Sequence, residues 1–171
     1  VIRMANGQNV AVDYRETAPL AATRDMYIED GKLTRKSTVG GLASGIPGSV
    51  AGMAAALAKY GTMSLHDVMQ PAIRLASEGF VIDSATSRSL GASARLIRQF
   101  DGAPVFLPDG KPLQPGTLFR QPKLAQTLTL IADKGPSAFY EGPIADEIVS
   151  QMRKDGGIIT KQDLASYKPV L

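Results

Sequence analysis

Cysteine is absent from the 171 residues. Without a thiol there is no disulfide, no thiolate metal site and no cysteine nucleophile. That absence fits an oxidising or a reducing compartment equally well. A lone histidine, His66, leaves too few imidazoles for a multi-histidine metal centre built from this chain alone. No apolar run approaches the roughly 18 residues of a membrane span. Charge of one sign is scarce too. The formal net charge is +3, and basic clusters such as Arg35-Lys36 are short and free of interleaved aromatics. Neither nucleic acid nor an anionic membrane surface is expected as a partner. Internal repeats and low-complexity tracts are missing. No secretory leader is legible, which excludes little.

What remains is ordinary globular material, with 44% hydrophobic and 20% charged residues. Length predicts a single domain over residues 1–171 with a real hydrophobic core. Val1–Met4 and Asn9–Tyr14 read as strands, and Asn6-Gly7 between them is a hairpin turn signal. Alternation puts Val10, Val12 and Tyr14 on an inward face. The hairpin, residues 1–16, is expected to be the edge of a larger sheet, because two strands alone are marginal. Val1-Ile2-Arg3-Met4 reads as the middle of a strand, and Val170-Leu171 follow a turn. The chain is therefore expected to be an excised piece or one processing product.

Residues 43–168 read as a helical region. A first helix opens with Pro47 at its first position and stops at Gly61, with Val50, Met53, Ala54 and Leu57 as its apolar stripe. Ser64 with Asp67 makes an imperfect capping box for a second. That helix buries Leu65, Val68, Ala72 and Leu75, is kinked by Pro71 and ends at Gly79. A third runs from about Asp83 to Phe100 with Leu90, Ala94 and Ile97 inward. Residues 101–120, rich in proline and glycine, read as an irregular excursion or a small hairpin. Leu124, Thr127, Leu128 and Ile131 mark a fourth helix stopped near Gly135-Pro136. Ile144, Ile148 and Met152 mark a fifth, ended by Gly156-Gly157. Thr160 and Asp163 have capping-box spacing for a short last helix before Pro169. Residues 18–36 are ambiguous, with a turn at Glu29-Asp30-Gly31-Lys32, and 34–41 read as a polar loop.

Arg15 is the candidate for touching a substrate. A guanidinium at the exit of a strand presents a planar fork of donors that matches a carboxylate. The competing reading is an ion pair with Glu16 or another carboxylate. Glu16 either orients the guanidinium from behind or is a solvated carboxylate or hairpin salt bridge. Neighbouring strand residues point to opposite faces, which favours the second. Ser44 is a candidate at the border of a cleft, although nothing in its spacing demands it. Gly45–Gly52 lacks the Gly-Lys-Ser/Thr ending of a phosphate loop, so its glycines are read as allowing close helix packing. His66 is expected to be exposed or capping. Asp25, Glu29 and Asp30 lack calcium-loop spacing and read as turn residues. Tyr27, Tyr60, Phe80, Phe139 and Tyr140 read as core and junction aromatics.

Five blocks carry a resemblance. They are Asp13-Tyr14-Arg15-Glu16-Thr17-Ala18-Pro19 with Ala21-Ala22-Thr23-Arg24-Asp25-Met26; Ala43-Ser44-Gly45-Ile46-Pro47-Gly48-Ser49-Val50-Ala51-Gly52; Pro71-Ala72-Ile73 with Gly79-Phe80; Phe139-Tyr140-Glu141-Gly142; and Gly156-Gly157-Ile158-Ile159-Thr160-Lys161-Gln162-Asp163-Leu164. In this order the chain resembles the large subunit of γ-glutamyltranspeptidases. The resemblance implies a mainly α segment with a short N-terminal β-hairpin, flanking the four-layer αββα core of an Ntn hydrolase when intact. It implies transfer of the γ-glutamyl group of glutathione to water, amino acids or peptides. The nucleophile would be a threonine at the start of a small subunit, with that residue's own α-amine as base.

No catalytic residue is therefore expected within this chain, which opens on Val1. Arg15 would bind the α-carboxylate of the γ-glutamyl group, and its loss would cost about 2–5 kcal/mol of binding. Glu16 and Ser44 would stand behind it. No metal or organic cofactor is implied. The implied partners are the small subunit of the same precursor and γ-glutamyl compounds such as glutathione, and the implied location is periplasmic or secreted. Two alternatives stand: a glutaryl-cephalosporin acylase of the same family, and a non-catalytic helical interaction module.

Overall fold

The computed structural model describes residues 1–170. Leu171, read above as the chain's end just after a turn, lies outside the described residues. About 52% of the structure is helical and its strands are short, so it is mainly α. The chain divides into two compact units, Val1–Asp67 with the segment from Leu130 onward, and Val68–Thr129.

In the first unit β1 (Ile2–Arg3) pairs antiparallel with β2 (Asn9–Val10), Ile2 opposite Val10. Gly7 takes a φ of 89° at the turn, where a side chain would be strained. Regular pairing stops at Val10, short of the expected Tyr14. Beyond it the backbone is held from elsewhere. Asp13 forms an isolated antiparallel bridge with Val170, each N–H donating to the other's carbonyl at 2.8 Å. Thr17 bridges Ile46, whose N–H donates to the Thr17 carbonyl at 2.9 Å. A second hairpin, β3 (Ile28–Glu29) and β4 (Lys32–Leu33), turns at Asp30-Gly31 with both φ values positive.

Helix α1 spans Ser49–Tyr60. It begins two residues after Pro47, whose carbonyl instead accepts a hydrogen bond from the Tyr140 hydroxyl at 2.7 Å. Its buried face also differs from the expected stripe. Gly52 is buried while Met53 is 58% exposed, and Val50 and Ala51 meet the core. The reason is Tyr14. A Cβ added at Gly52 would collide with the Tyr14 ring, and one at Gly48 with the Tyr14 carbonyl and the Tyr167 hydroxyl. The glycines thus admit Tyr14 onto the helix surface, so its half-exposed ring lies on α1 and does not join an inward sheet face.

The core of this unit gathers Ile46, Tyr140, Ala145, Val149, Ile159 and Leu164. The last helices of the chain contribute Tyr140, Ala145, Val149 and Leu164, and the link before the final helix contributes Ile159. Gly142 and Thr160 precede two of those helices as caps. The fifth helix expected from the sequence buries Ala145 and Val149, with Ile148 and Met152 packed beside them.

In the second unit, α2 (Leu65–Glu78, its first turn in the first unit) runs unbroken through Pro71. Its expected buried side is largely bare, with Leu75 55% exposed, and Ala76 is buried in its place. Small size at 76 lets a backbone approach: Gln121 donates its N–H to the Ala76 carbonyl at 2.8 Å, and Arg120 Nε donates to the Glu78 carbonyl at 2.9 Å. After Gly79, β5 (Phe80–Val81) leads to α3 (Ser84–Ile97), which Asp83 caps by accepting the Thr86 N–H at 2.6 Å.

The stretch 101–120, expected to be an irregular surface excursion or a small hairpin, is built into this unit. It holds α4 (Ala103–Phe106), buries Leu107 and Leu113, and forms β6 (Leu118–Phe119), which pairs antiparallel with β5. Ile82, Leu113 and Phe119 form the core, with Leu90 and Phe106 against it. Phe119 meets the rings of Phe80 and Phe106, each at 5.8 Å between centroids.

Helix α5 (Pro122–Lys134) ends before Gly135, and α6 (Ser137–Tyr140), α7 (Pro143–Lys154) and α8 (Lys161–Ser166) complete the chain.

Candidate substrate cleft at Arg15

A cleft of about 370 Å³ opens beside the extended segment after the first hairpin, lined by Val1, Val12, Asp13, Tyr14, Arg15, Glu16 and Ser49. Arg15 reaches it from a backbone held on both sides. Its N–H donates to Asp13 Oδ1 at 2.9 Å, an Asx turn. Its carbonyl accepts the Tyr167 hydroxyl at 2.9 Å. Main chain pinned in this way leaves the long side chain as the adaptable part.

The Arg15 side chain is 81% exposed, and its Nε donates to Glu16 Oε1 at 3.1 Å. Of the two earlier readings, the ion pair with Glu16 is the one seen. It occupies only the inner nitrogen of the guanidinium. A fork of two terminal nitrogens is left to meet an anion two-for-two. The Glu16 carboxyl is held below its ordinary value, first by its own backbone N–H and then by the hydrogen bond and charge of Arg15. Gly45 makes room for Glu16: a Cβ there would lie 2.8 Å from Glu16 Cγ. The glycines of Gly45–Gly52 thus allow close packing, with Glu16 and Tyr14 where another helix was expected.

Ser44 does not line the cleft. It is half-buried, and its N–H donates to the Gly41 carbonyl at 3.3 Å. Ser49 lines it instead, as the first residue of α1. Sequence reasoning passed over Ser49, although a serine opening a helix right after Pro-Gly was a signal available in the motif.

The remaining polar candidates lie elsewhere. His66 is exposed, with Nδ1 3.7 Å from Asp67 Oδ1 and Nε2 3.7 Å from Asp133 Oδ1. The cap of that helix is Ser64, which accepts the Asp67 N–H at 3.1 Å. Glu29 pairs with Lys36, and Asp30 makes the turn. Among the described residues no group of His, Cys, Asp or Glu is placed to hold a metal ion, and no helix is long and apolar enough to cross a membrane. Tyr27 donates its hydroxyl to the Leu42 carbonyl at 3.2 Å, and Phe139 and Tyr140 belong to the first core.

Comparison with known proteins places these features among relatives. The profile of the family described as Gamma-glutamyltranspeptidase matches residues 1–171. A glutathione hydrolase proenzyme from Escherichia coli strain K12 is 45% identical over 174 residues, covering 99% of this chain and 30% of that protein. The Acylase ACY 1 proenzyme of Pseudomonas sp. strain SE83 is 40% identical over 176 residues, covering 98% of this chain and 32% of that one. The crystal structure of Helicobacter pylori gamma-glutamyltranspeptidase superposes with a TM-score of 0.95 at 42% identity, over 99% of this chain and 50% of that chain. The chain thus spans about a third of the length of the curated relatives it matches.

Proposed function

Since this chain belongs to the gamma-glutamyltranspeptidase family, we propose that it supplies the donor-binding arginine of an enzyme that moves γ-glutamyl groups. The donor would be glutathione or a related γ-glutamyl compound, and the acceptor water or the amine of an amino acid or peptide. One observation carries the reading: a guanidinium at the cleft with its inner nitrogen on Glu16 and its outer fork open. An α-carboxylate meeting that fork gains two charge-assisted hydrogen bonds and a defined orientation.

The chemical step belongs outside these residues. A threonine nucleophile on a small subunit of the same precursor would form a γ-glutamyl ester, which water or an amine resolves. Proenzyme names among the relatives support a processed precursor. In the assembled protein this segment would flank an αββα core, and the enzyme would act in the periplasm or outside the cell. The role of this chain is to hold the donor while its γ-carbonyl reacts.

Exposure of Arg15 sets the expected magnitude at the lower end of the range given above. In the full-length protein Arg15→Ala should cost about 2–3 kcal/mol, roughly 30- to 160-fold in KM, with kcat changed far less. The assay is hydrolysis of γ-glutamyl-p-nitroanilide. An unchanged KM removes Arg15 from the donor site.

The acylase relative keeps a second reading open, hydrolysis of glutaryl side chains. Glutaryl keeps a terminal carboxylate in the place of the γ-glutamyl α-carboxylate and lacks only the α-amino group, so the Arg15 fork would hold either donor and the choice between them would rest on groups that meet the amine. Comparing kcat/KM for γ-glutamyl and glutaryl p-nitroanilides decides between them. A preference for the glutaryl substrate in the full-length protein would replace the transpeptidase reading.

A further inference from the structure

We propose that Tyr167 is a positioning residue for Arg15: its hydroxyl, by holding the Arg15 carbonyl, sets how the guanidinium enters the cleft. The inference rests on the reading of Arg15 as the donor's carboxylate clamp.

The geometry is that of a brace from the C-terminal arm. Tyr167 follows α8 and donates its hydroxyl to the Arg15 carbonyl at 2.9 Å. Its ring stacks on Tyr140, with centroids 5.9 Å apart and planes 9° from parallel. Tyr140 is buried, and its own hydroxyl donates to the Pro47 carbonyl at 2.7 Å and accepts the Ala51 N–H at 3.2 Å. The brace is thereby anchored in the first turn of α1, the helix whose Ser49 lines the same cleft.

Three residues further on, Val170 pairs with Asp13, and Asp13 Oδ1 accepts the Arg15 N–H. Both backbone groups of Arg15 are therefore tied to one arm, directly at the carbonyl and through Asp13 at the amide. The site keeps room for this contact at Gly48, where a Cβ would strike the Tyr167 hydroxyl. Burial first, and then the charges of Asp13 and Glu16, push the Tyr167 hydroxyl above its ordinary value, which keeps its proton available to donate.

A long side chain pivots on its Cα. Releasing the carbonyl lets the 14–16 backbone rotate, and a small rotation there moves the terminal nitrogens away from where a carboxylate would sit. The effect belongs in ground-state donor binding, because the reacting carbonyl lies at the far end of the γ-glutamyl group.

Tyr167→Phe separates the hydroxyl from the ring, since phenylalanine keeps the stack on Tyr140. The test is a double-mutant cycle in the full-length processed protein, with Tyr167→Phe, Arg15→Ala and both, assayed on γ-glutamyl-p-nitroanilide. Tyr167→Phe should raise KM about 3- to 10-fold with kcat within about twofold. In the Arg15→Ala background the same change should leave KM alone. KM does not depend on how much of a preparation is folded, so partial loss of the variant does not blur the readout. An unchanged KM for Tyr167→Phe, or an equal rise with and without Arg15, overturns the positioning role while the clamp stands. An Arg15→Ala protein with wild-type KM overturns the clamp itself, and the positioning role with it.

Discussion

Asp163 is a carboxylate with 2% exposure and three donors on it. Thr160 supplies its N–H and its hydroxyl, each at 2.7 Å, and Leu20 supplies a backbone N–H at 2.7 Å from 143 residues away. Burial alone would push this carboxyl up, yet the hydrogen bonds from Leu20 and Thr160 outweigh it and hold the group below its ordinary value. A lowered folded value means that its stabilisation is complete above the unfolded carboxylate range. It is lost as pH falls through the lowered folded value. Asp163→Asn turns an amide toward donors and should cost about 2–3 kcal/mol at neutral pH. The measurement is the Tm of both full-length proteins from neutral to strongly acid pH. The gap between them should close below about pH 4; a gap of constant size would show that ionisation of Asp163 adds nothing. The Thr160–Asp163 half of this network was legible from a three-residue spacing. The Leu20 half was not, because no local pattern encodes a partner so distant.

Helix α1 shows the same division at the scale of an element. Its stop at Gly61 follows from the residues themselves, but its start two residues after Pro47 and its buried side do not. Apolar periodicity pointed to Met53, while the contact that decided the matter was the Tyr14 ring over Gly52. Alanine at 52 gains up to about 1 kcal/mol of helix propensity over glycine. Against that stands a collision with Tyr14, and overpacking of this kind costs about 1–3 kcal/mol. Gly52→Ala should therefore lower Tm in the full-length protein; a rise in Tm would mean that Tyr14 moves aside freely. Element α2 misled in the opposite direction. Its apolar stripe is real, yet Leu75 stays open and the helix is joined through the carbonyls of Ala76 and Glu78. Strand β6 hid in a proline- and glycine-rich stretch, since its partner β5 is two residues long and far back in the chain. Arg15 and Glu16, which line the cleft, were singled out by the motif they share with a family, since charge alone favoured a plain surface ion pair. Ser49, which reaches the cleft from a helix start, and Tyr167, which reaches the Arg15 carbonyl from the other end of the sequence, were not singled out.

Over the whole molecule, the second unit leaves Leu75, Phe80, Val81 and Leu118 open to solvent to a degree unusual for large apolar side chains. Val81 and Leu118 stand directly opposite each other in the β5–β6 pair and share one face. Residues 1–171 expressed alone should therefore bind a hydrophobic dye and self-associate. Val81→Lys with Leu118→Lys should reduce both, as read by dye fluorescence and size exclusion. A monodisperse, dye-silent segment would show that the face is tolerated in water.

The bridge between Asp13 and Val170, with the Tyr167 hydroxyl on Arg15 across 152 residues, also imposes an order of assembly. A ribosome adding about 5–20 residues per second releases the N-terminal arginine long before its brace exists. For roughly 8–30 s of translation the loop around Arg15 waits unfinished, and it closes only once the last turn of this segment has left the exit tunnel.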